Sequence, residues 1–385
     1  NSAWKHHPWD KNAKGNAAHC KGIHTYCFKK GVVYRGSLAA KESGEPDNPI
    51  RLTADPSWGK GKASIYGSLR IKEDWKRCTD DECLEIPPEG RKNTWYVNLD
   101  KSFVPRMLWE IHNNRVIRIP IARTPNWKIT NIDDPRGEWW ELTGYVLEVK
   151  IYIEKTSGFK VGDKINGTGK WTDIDENKDN ILIGNNIITE VKRDYIKIDS
   201  WNWKKGAIKV GAYVTNGKSR AKVLKISETH DVVSRLVDDN HLIQNDHKYW
   251  VGATMWSEKE SMPKPDAEKV IGYDPNDHSL KINYHRGLAL GPRKYDRYYL
   301  ENLPKFLDNP VEYYYSEKGK NAGRLFIHLT RERNPNASII EAAKKYVLLD
   351  IHNKSNIIVS GVDLKFSNAI DCGTKEARHA SLYNS

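Results

Sequence analysis

The chain has 385 residues, with 62 Lys and Arg against 50 Asp and Glu, so its net charge is 62 − 50 = +12. This length predicts two or three folded units rather than one small domain. No apolar run approaches the roughly 18 residues that a membrane-spanning helix needs, and aromatic and β-branched residues are spread along the chain, which excludes wholesale disorder. The 14 Trp and 19 Tyr far outnumber the 6 Phe. Because Trp and Tyr combine an apolar ring with a polar group, they suit wet surfaces as well as cores.

Cysteine spacing predicts local disulfides. Cys20 and Cys27 form one tight pair in the sequence, Cys78 and Cys83 form a second, and Cys372 is left over. Close pairs in a loop-rich chain favour an exported protein. The chain begins with Asn rather than Met, from which we expect a processed mature form or a fragment.

Short strands dominate the predicted elements. β-branched and aromatic runs separated by Gly, Pro, Asn and Asp are typical of strands and turns. In chain order, such runs occupy residues 31–38, 49–54, 63–69, 95–99, 115–121, 145–154 and 356–366. The best helix candidate is short, from Ile339 to Tyr346. The sequence therefore predicts an all-β fold with few short helices.

Three segments carry a recognisable order of motifs. They are residues 31–68, which include SGEPDNPI, residues 118–142, and a third group that includes RYYLENLPKFLD (297–308) and NIIVSGVDLKFSN (356–368). Together they resemble the N-terminal half of large secreted right-handed parallel β-helix proteins. That family includes polysaccharide lyases, glycoside hydrolases and many members of unknown activity. The resemblance implies the start of a right-handed parallel β-helix, with catalytic groups often on later rungs.

A parallel β-helix buries its inner side chains by stacking one rung on the next. Residues 31–69 correspond to the first rungs, and residues 346–366 correspond to the return of the chain to the stack. The candidate inward side chains of that return are Ile357, Val359, Val362, Leu364 and Phe366. Most rungs of the family follow this point, so we expect a remainder beyond Ser385.

The resemblance breaks between Leu142 and about Arg235, which divides the chain into residues 1–142, 143–235 and 236–385. The middle part contains an internal repeat, in which residues 158–174 resemble residues 207–226. Each copy contains a Lys-Val-Gly and an Asn-Gly, and Asn-Gly is a hairpin signal. We interpret this part as an inserted small β-domain of two similar units. The alternative interpretation is that the similarity is a coincidence among Lys- and Gly-rich hairpins.

One segment of the insertion has the spacing of a calcium loop. Oxygen-bearing side chains occur at every second position, and Ca²⁺ binds six to eight oxygen ligands. These residues are Asp173, Asp175, Asn177 and Asp179. The match to an EF-hand loop is incomplete, because the sixth position is Lys178 rather than Gly. The alternative is a polar hairpin tip.

Clustered tryptophans are the best surface candidates. Indole rings stack on the apolar faces of sugar rings, and nearby charged groups hold the hydroxyls. The candidate substrate-binding residues are Trp127, Trp139, Trp140, Trp256 and Arg123. The alternative is that these rings pack within a core.

Carboxylates near those tryptophans suggest acid–base chemistry on glycans, which uses two carboxylates roughly 5–10 Å apart. The catalytic candidates are Asp133, Asp134, Glu138 and Glu258, with Glu141 beside them. A lyase would instead need a base and a group that neutralises a uronate, for which Arg118, Arg123 and His112 are candidates.

These observations predict an exported protein that binds or degrades polysaccharide. The positive charge of the protein favours an acidic polysaccharide. No nucleic-acid-binding signature is present. The alternative is a non-catalytic cell-surface, layer or filament protein, in which the β-helix is a rigid module that self-assembles through its exposed end.

Overall fold

The computed structural model describes residues 6–79, 82–128, 137–168, 187–200, 210–226, 233–259, 262–283 and 296–368. The chain divides into two units. The terminal unit combines Asn1–Ile121 with Leu307–Ser385, and the central unit is Ala122–Phe306. The three-part division at residues 142 and 235 stays a prediction.

Strands dominate both units, which confirms the all-β fold class with few helices. The first strands in chain order are β1 (Thr25–Phe28), β2 (Val33–Arg35), β3 (Leu38–Ala39), β4 (Ile50–Ala54), β5 (Ala63–Tyr66), β6 (Ser68–Ile71), β7 (Lys76–Arg77), β8 (Thr94–Asn98), β9 (Leu108–His112) and β10 (Arg115–Ile119). The strands of the central unit are β11 (Arg123–Thr124), β12 (Trp140–Glu141), β13 (Gly144–Ile153), β14 (Asn166–Thr168), β15 (Ile188–Val191), β16 (Tyr195–Ser200), β17 (Tyr213–Thr215), β18 (Arg220–Ile226), β19 (Val233–Val237), β20 (Thr254–Lys259), β21 (Met262–Asp274), β22 (Ser279–Asn283) and β23 (Arg297–Glu301). The last strands are β24 (Glu312–Tyr315), β25 (Arg324–His328), β26 (Ile339–Ala343), β27 (Leu349–Asp350), β28 (Ile357–Ser360) and β29 (Val362–Lys365).

Helices are short. The α-helix α1 spans Pro88–Arg91, and 3-10 turns span Gly15–Ala18, Pro304–Phe306, Thr330–Glu332 and Pro335–Ala337. Within the described residues, no helix has the length and apolar character required to cross a membrane.

Three small parallel sheets form one part of the terminal unit. β4 lies between β1 and β28, β5 lies between β2 and β29, and β27 pairs with β3. Alternate side chains of these strands meet in one apolar cluster around Trp9, Tyr26 and Leu52. The predicted inward residues Ile357, Val359, Val362 and Leu364 pack against this cluster, and Phe366 is buried in a neighbouring one. The inward set is therefore confirmed.

Antiparallel pairing accounts for the rest of the terminal unit. One sheet has the order β10-β9-β26-β6, and another has the order β24-β25-β8-β7. Their shared core includes Leu108, Tyr313 and Ile327. Among the described strands most pairs are antiparallel, and the parallel ladders lie in the three small sheets, whereas one isolated parallel bridge joins Ile121 to Tyr313.

The predicted helix from Ile339 to Tyr346 is wrong, because residues 339–343 form strand β26. This strand lies between β9 and β6 and uses its backbone groups on both sides. Its buried Glu341 accepts two hydrogen bonds from the Arg35 guanidinium, at 2.7 and 2.8 Å, and one from the Ser68 hydroxyl at 2.6 Å. Pairing with two distant strands outweighs the local helix propensity of the Glu-Ala-Ala sequence.

The central unit contains a 13-stranded sheet with branches. Part of it encloses a core of its own, which includes Ile151, Phe159, Ile196 and Val214. The Asn216-Gly217 hairpin is confirmed, because it joins β17 to β18 and Gly217 has a φ of +85°. The Asn166-Gly167 hairpin is wrong, because both residues lie in β14 and pair with β17.

Of the two predicted disulfides, Cys78–Cys83 is present and Cys20–Cys27 is absent. Cys27 lies in β1, where Tyr26 and Phe28 point into the core and Cys27 is exposed. Cys20 is partly buried and packs against that core. The alternation of β1 therefore turns the two sulfur atoms to different sides. Cys372 lies outside the described residues.

Candidate functional site

Strand β23 divides its side chains between two faces of the central sheet. Tyr298 and Leu300 are buried, whereas Arg297, Tyr299 and Glu301 are half-buried. Successive side chains of a strand point to opposite sides, so the strand separates two environments. We call the side that carries Arg297, Tyr299 and Glu301 the aromatic face.

Neighbouring strands extend the aromatic face. β20 places Trp256 opposite Tyr299. β11 places Arg123 opposite Glu301, and β12 places Glu141 opposite Arg297. Residues that are distant in sequence are thus aligned by strand register.

Arg123 organises the rings of this face. Its side chain is buried at 3% exposure. Its guanidinium carbon lies 3.8 Å from the ring centre of Tyr299, 4.9 Å from that of Trp127 and 5.8 Å from that of Trp139. Its Nε donates to the carbonyl oxygen of Pro125 at 2.9 Å. A planar, weakly hydrated guanidinium stacks well on aromatic rings, so Arg123 fixes the positions of all three.

The rings themselves form a partly exposed cluster. Trp139 meets Tyr299 edge-on at 4.6 Å between ring centres, and Trp256 lies nearly parallel to Tyr299 at 6.2 Å. Trp127 is 49% exposed. This aromatic cluster offers apolar ring surface at the edge of solvent, next to charged groups.

Two carboxylates lie among these rings, and each has a partner. Glu258 accepts from the Arg297 guanidinium, with 2.7 Å between Oε2 and Nε. Glu301 accepts from the Trp256 indole, with 2.7 Å between Oε1 and Nε1. The register places Glu258 next to Arg297, four residues along the strand from Glu301, so about 13 Å separates the two backbone positions. Each carboxylate is held in place by a hydrogen-bond donor, which suits contact with the polar groups of a ligand.

Trp140 lies on the other side of the sheet. It pairs with Tyr298 in the strand register, and its ring stacks on His241 at 4.6 Å between ring centres and 8° between planes. The adjacent residues Trp139 and Trp140 therefore point to opposite faces. The structure brings together Trp127, Trp139, Trp256, Arg123 and Glu258, and it separates Trp140 from them.

The remaining candidates lie elsewhere. Glu138 is half-buried just before β12. His112 and Arg118 belong to the terminal unit, on β9 and β10. Asp133 and Asp134 lie outside the described residues, as do the calcium candidates Asp173, Asp175, Asn177 and Asp179. In the part of the chain that the structure describes, no group of three or more His, Cys, Asp or Glu side chains is placed to hold a metal ion.

Sequence reasoning missed Tyr299, Arg297 and Glu301 as site residues. The available signal was the alternation in the RYYLE sequence of β23, which places every second side chain on one face. Which face would meet the tryptophans depends on pairing with β20 and β11, and that pairing is not visible in a single strand.

No family model matches the sequence, and no curated protein matches it. A solved structure described as a glycoside hydrolase is similar at 12% identity and a TM-score of 0.47, over 90% of this chain and 44% of that one. The chain thus spans less than half the length of that protein. At this level of similarity, function has to be inferred from the side chains of the chain itself.

Proposed function

We propose that the aromatic face binds polysaccharide. The observation that carries this proposal is the set of rings held by Arg123, in which Trp127, Trp139 and Tyr299 surround one guanidinium. Rings that are already held in place can stack on sugar units without losing side-chain entropy on binding, which increases affinity.

The polar groups beside the rings suit hydroxyl recognition. Two hydrogen-bonded pairs beside the aromatic cluster present fixed donors and acceptors. They are Glu258 with Arg297, and Glu301 with Trp256. The net charge of +12 favours an acidic polysaccharide through long-range attraction.

Binding to a panel of neutral and acidic glycans tests this proposal. We expect Trp256→Ala and Trp139→Ala to weaken binding about tenfold each, which corresponds to about 1.4 kcal/mol. Trp58→Ala is the matched control, because Trp58 is 38% exposed in the terminal unit, and it should bind as the unchanged protein does. Equal binding by all three variants would refute the proposed face.

The catalytic form of the same proposal is that the protein degrades polysaccharide, either as a glycosidase or as a lyase. Glu258 supports it, since it lies two positions after Trp256 on β20 and therefore on the same face of the sheet. New reducing ends, or the ultraviolet absorbance of unsaturated products, would demonstrate cleavage. Glu258→Gln should abolish it. Binding without product would leave the protein as a carbohydrate-binding module.

We also propose that the three parallel sheets are the first rungs of a right-handed parallel β-helix. The strands β4 and β5 pair in parallel with the earlier strands β1 and β2, and the later strands β28, β29 and β27 pair in parallel with β4, β5 and β3. This repeated order supports successive turns of a solenoid. A crystal structure in which these strands do not wind in one direction would exclude it.

Export and calcium binding are further proposals. The Cys78–Cys83 disulfide supports an oxidising compartment. Calorimetric titration with Ca²⁺ tests the 173–179 segment, in which Asp175→Ala should remove any binding.

A further inference from the structure

A buried carboxylate lies on the face of β23 opposite the aromatic face. Asp238 is 0% exposed. Its Oδ2 accepts from the Tyr298 hydroxyl at 2.7 Å and contacts His241 Nδ1 at 2.8 Å. Its Oδ1 accepts from the backbone N–H groups of Asn240 at 2.9 Å and His241 at 3.2 Å. Several donors therefore converge on one fully buried carboxylate.

The hydrogen-bond donors around Asp238 indicate which atoms of Tyr298 and His241 donate and which accept. Burial and the Asp238 carboxylate raise the pKa of Tyr298 well above its ordinary value, so its hydroxyl stays protonated and donates. The Asp238 oxygens already accept from the Tyr298 hydroxyl and from two backbone N–H groups, so we assign the contact with His241 to an Nδ1–H that donates. This assignment leaves Nε2 for a second group.

The His241 ring is held in place but remains accessible. Its side chain is 37% exposed, and the parallel Trp140 indole covers one of its faces. Trp140 in turn meets Tyr298 and Trp250 edge-on. An imidazole whose Nδ1–H donates to a buried carboxylate, in a side chain that solvent partly reaches, is the arrangement of a general base.

A second Asp–His pair in the same unit provides a natural comparison. His278 Nδ1 lies 3.2 Å from Asp239 Oδ1, and its side chain is 35% exposed, close to the value for His241. Asp239, however, is 62% exposed, whereas the Asp238 side chain is fully buried. The two histidines therefore differ mainly in the solvation of their carboxylate partners.

We propose that His241 is a general base whose Nε2 takes a proton from a hydroxyl group, of water or of an alcohol, and that Asp238 is its positioning residue. The O–H bond breaks, an N–H bond forms at Nε2, and the electron pair stays on the oxygen. That oxygen can then add to an ester carbonyl carbon, whose π electron pair moves onto the carbonyl oxygen. When the C=O bond re-forms, the bond to the leaving oxygen breaks with its electron pair on that oxygen, and the proton on Nε2 of the imidazolium passes to it. The buried Asp238 carboxylate stabilises the imidazolium formed in between.

Ring-nitrogen NMR on the unmodified protein tests the geometry. Neutral His241 should be in the Nδ1–H tautomer, whereas neutral His278, beside a solvated carboxylate, should show a larger share of the Nε2–H form. An Nε2–H tautomer at His241 overturns the proposal. This measurement requires no variant and is independent of glycan binding.

Hydrolysis of p-nitrophenyl acetate tests the chemistry. We expect His241→Gln to lower the rate at least tenfold, His278→Gln to leave it unchanged, and Asp238→Asn to lower it while altering the tautomer of His241. Added methanol distinguishes the hydroxyl source, since methyl acetate forms only if an alcohol is accepted. An unchanged rate in His241→Gln overturns the proposal even if the tautomer is as expected.

Discussion

A single arginine shapes the environment of three aromatic side chains in the central unit. Arg123 is nearly fully buried, and its charge meets the electron-rich faces of Tyr299, Trp127 and Trp139. A buried charge is costly unless it is compensated, and stacking on rings is one of the few compensations that an apolar environment offers to a guanidinium.

We therefore expect Arg123→Lys to be disruptive, although it preserves the charge. An ammonium is compact and strongly hydrated, and it cannot stack on three rings. The variant should lose about 1–2 kcal/mol of unfolding free energy, measured by urea denaturation with tryptophan fluorescence. Arg115→Lys is the control, because Arg115 is exposed on β10. Equal stability of both variants would show that the rings do not depend on Arg123.

His7 predicts acid sensitivity of the terminal unit. Burial lowers its pKa from 6.5 to about 4, an effect that nearby Asp10 opposes and Lys41 reinforces. The folded state thus favours the neutral ring. Above pH 6.5 this contribution is fully present, and it is lost as the pH falls toward 4, because the unfolded chain takes up the proton first. The total loss is about 3 kcal/mol.

His7→Phe should flatten this pH dependence, since Phe cannot be protonated and the ring already lies among Trp9, Tyr26 and Phe28. The measurement is the midpoint of urea unfolding at a series of pH values between 4 and 7. His24→Gln, at an exposed position, is the control and should keep the slope of the unchanged protein. A His7→Phe variant with that same slope would contradict the assignment.

At the scale of elements, the sequence predicted strands well and their partners poorly. Runs such as Ile50–Ala54 and Ala63–Tyr66 are strands because alternation and β-branching are local properties. Residues 339–343 lack such a signal, and they became a strand only through pairing with β9 and β6. The same limit applies to the candidate site, where Trp256 was recognisable alone but Tyr299 was not.

Glu341 provides a test of what holds β26 in place. Its buried carboxylate accepts from Arg35 and Ser68, so Glu341→Gln would leave the guanidinium without its counter-charge. We expect a loss of about 1–2 kcal/mol in unfolding free energy, because the Arg35 side chain is 36% exposed and solvent compensates part of its lost counter-charge. Glu317→Gln, at an exposed position, should be neutral. A small effect at Glu341 would mean that backbone pairing alone fixes the strand.

At the scale of the whole molecule, the central unit is continuous in sequence and its ends lie together. The Asn302 N–H donates to the Ala122 carbonyl oxygen at 3.0 Å. In the terminal unit, the Tyr313 N–H donates to the Pro120 carbonyl oxygen, also at 3.0 Å. In each unit, a backbone hydrogen bond thus joins the two chain segments that lead to the unit boundaries at residues 121 and 307.

Residues 122–306 should therefore fold when they are expressed alone. Their ends are already paired, and their strands enclose a core of their own, so no long loop has to be closed by the rest of the chain. Far-ultraviolet circular dichroism and a cooperative urea transition would verify folding. An isolated segment without a cooperative transition would show that the central unit requires the terminal one.

The division of side chains along β23 makes its length more critical than its composition. Deleting one residue before Tyr298 would shift the pairing by one position and exchange the two faces. Tyr299 would then point toward Asp238, and Tyr298 toward Arg123. Both residues are tyrosines, so each ring would be replaced by the same ring, whereas Arg297 would move to the buried side and the apolar Leu300 to the charged, half-buried side. One strand thus joins the proposed ligand-holding side of the sheet to its proposed proton-transfer side, and a change of length in it should impair both at once.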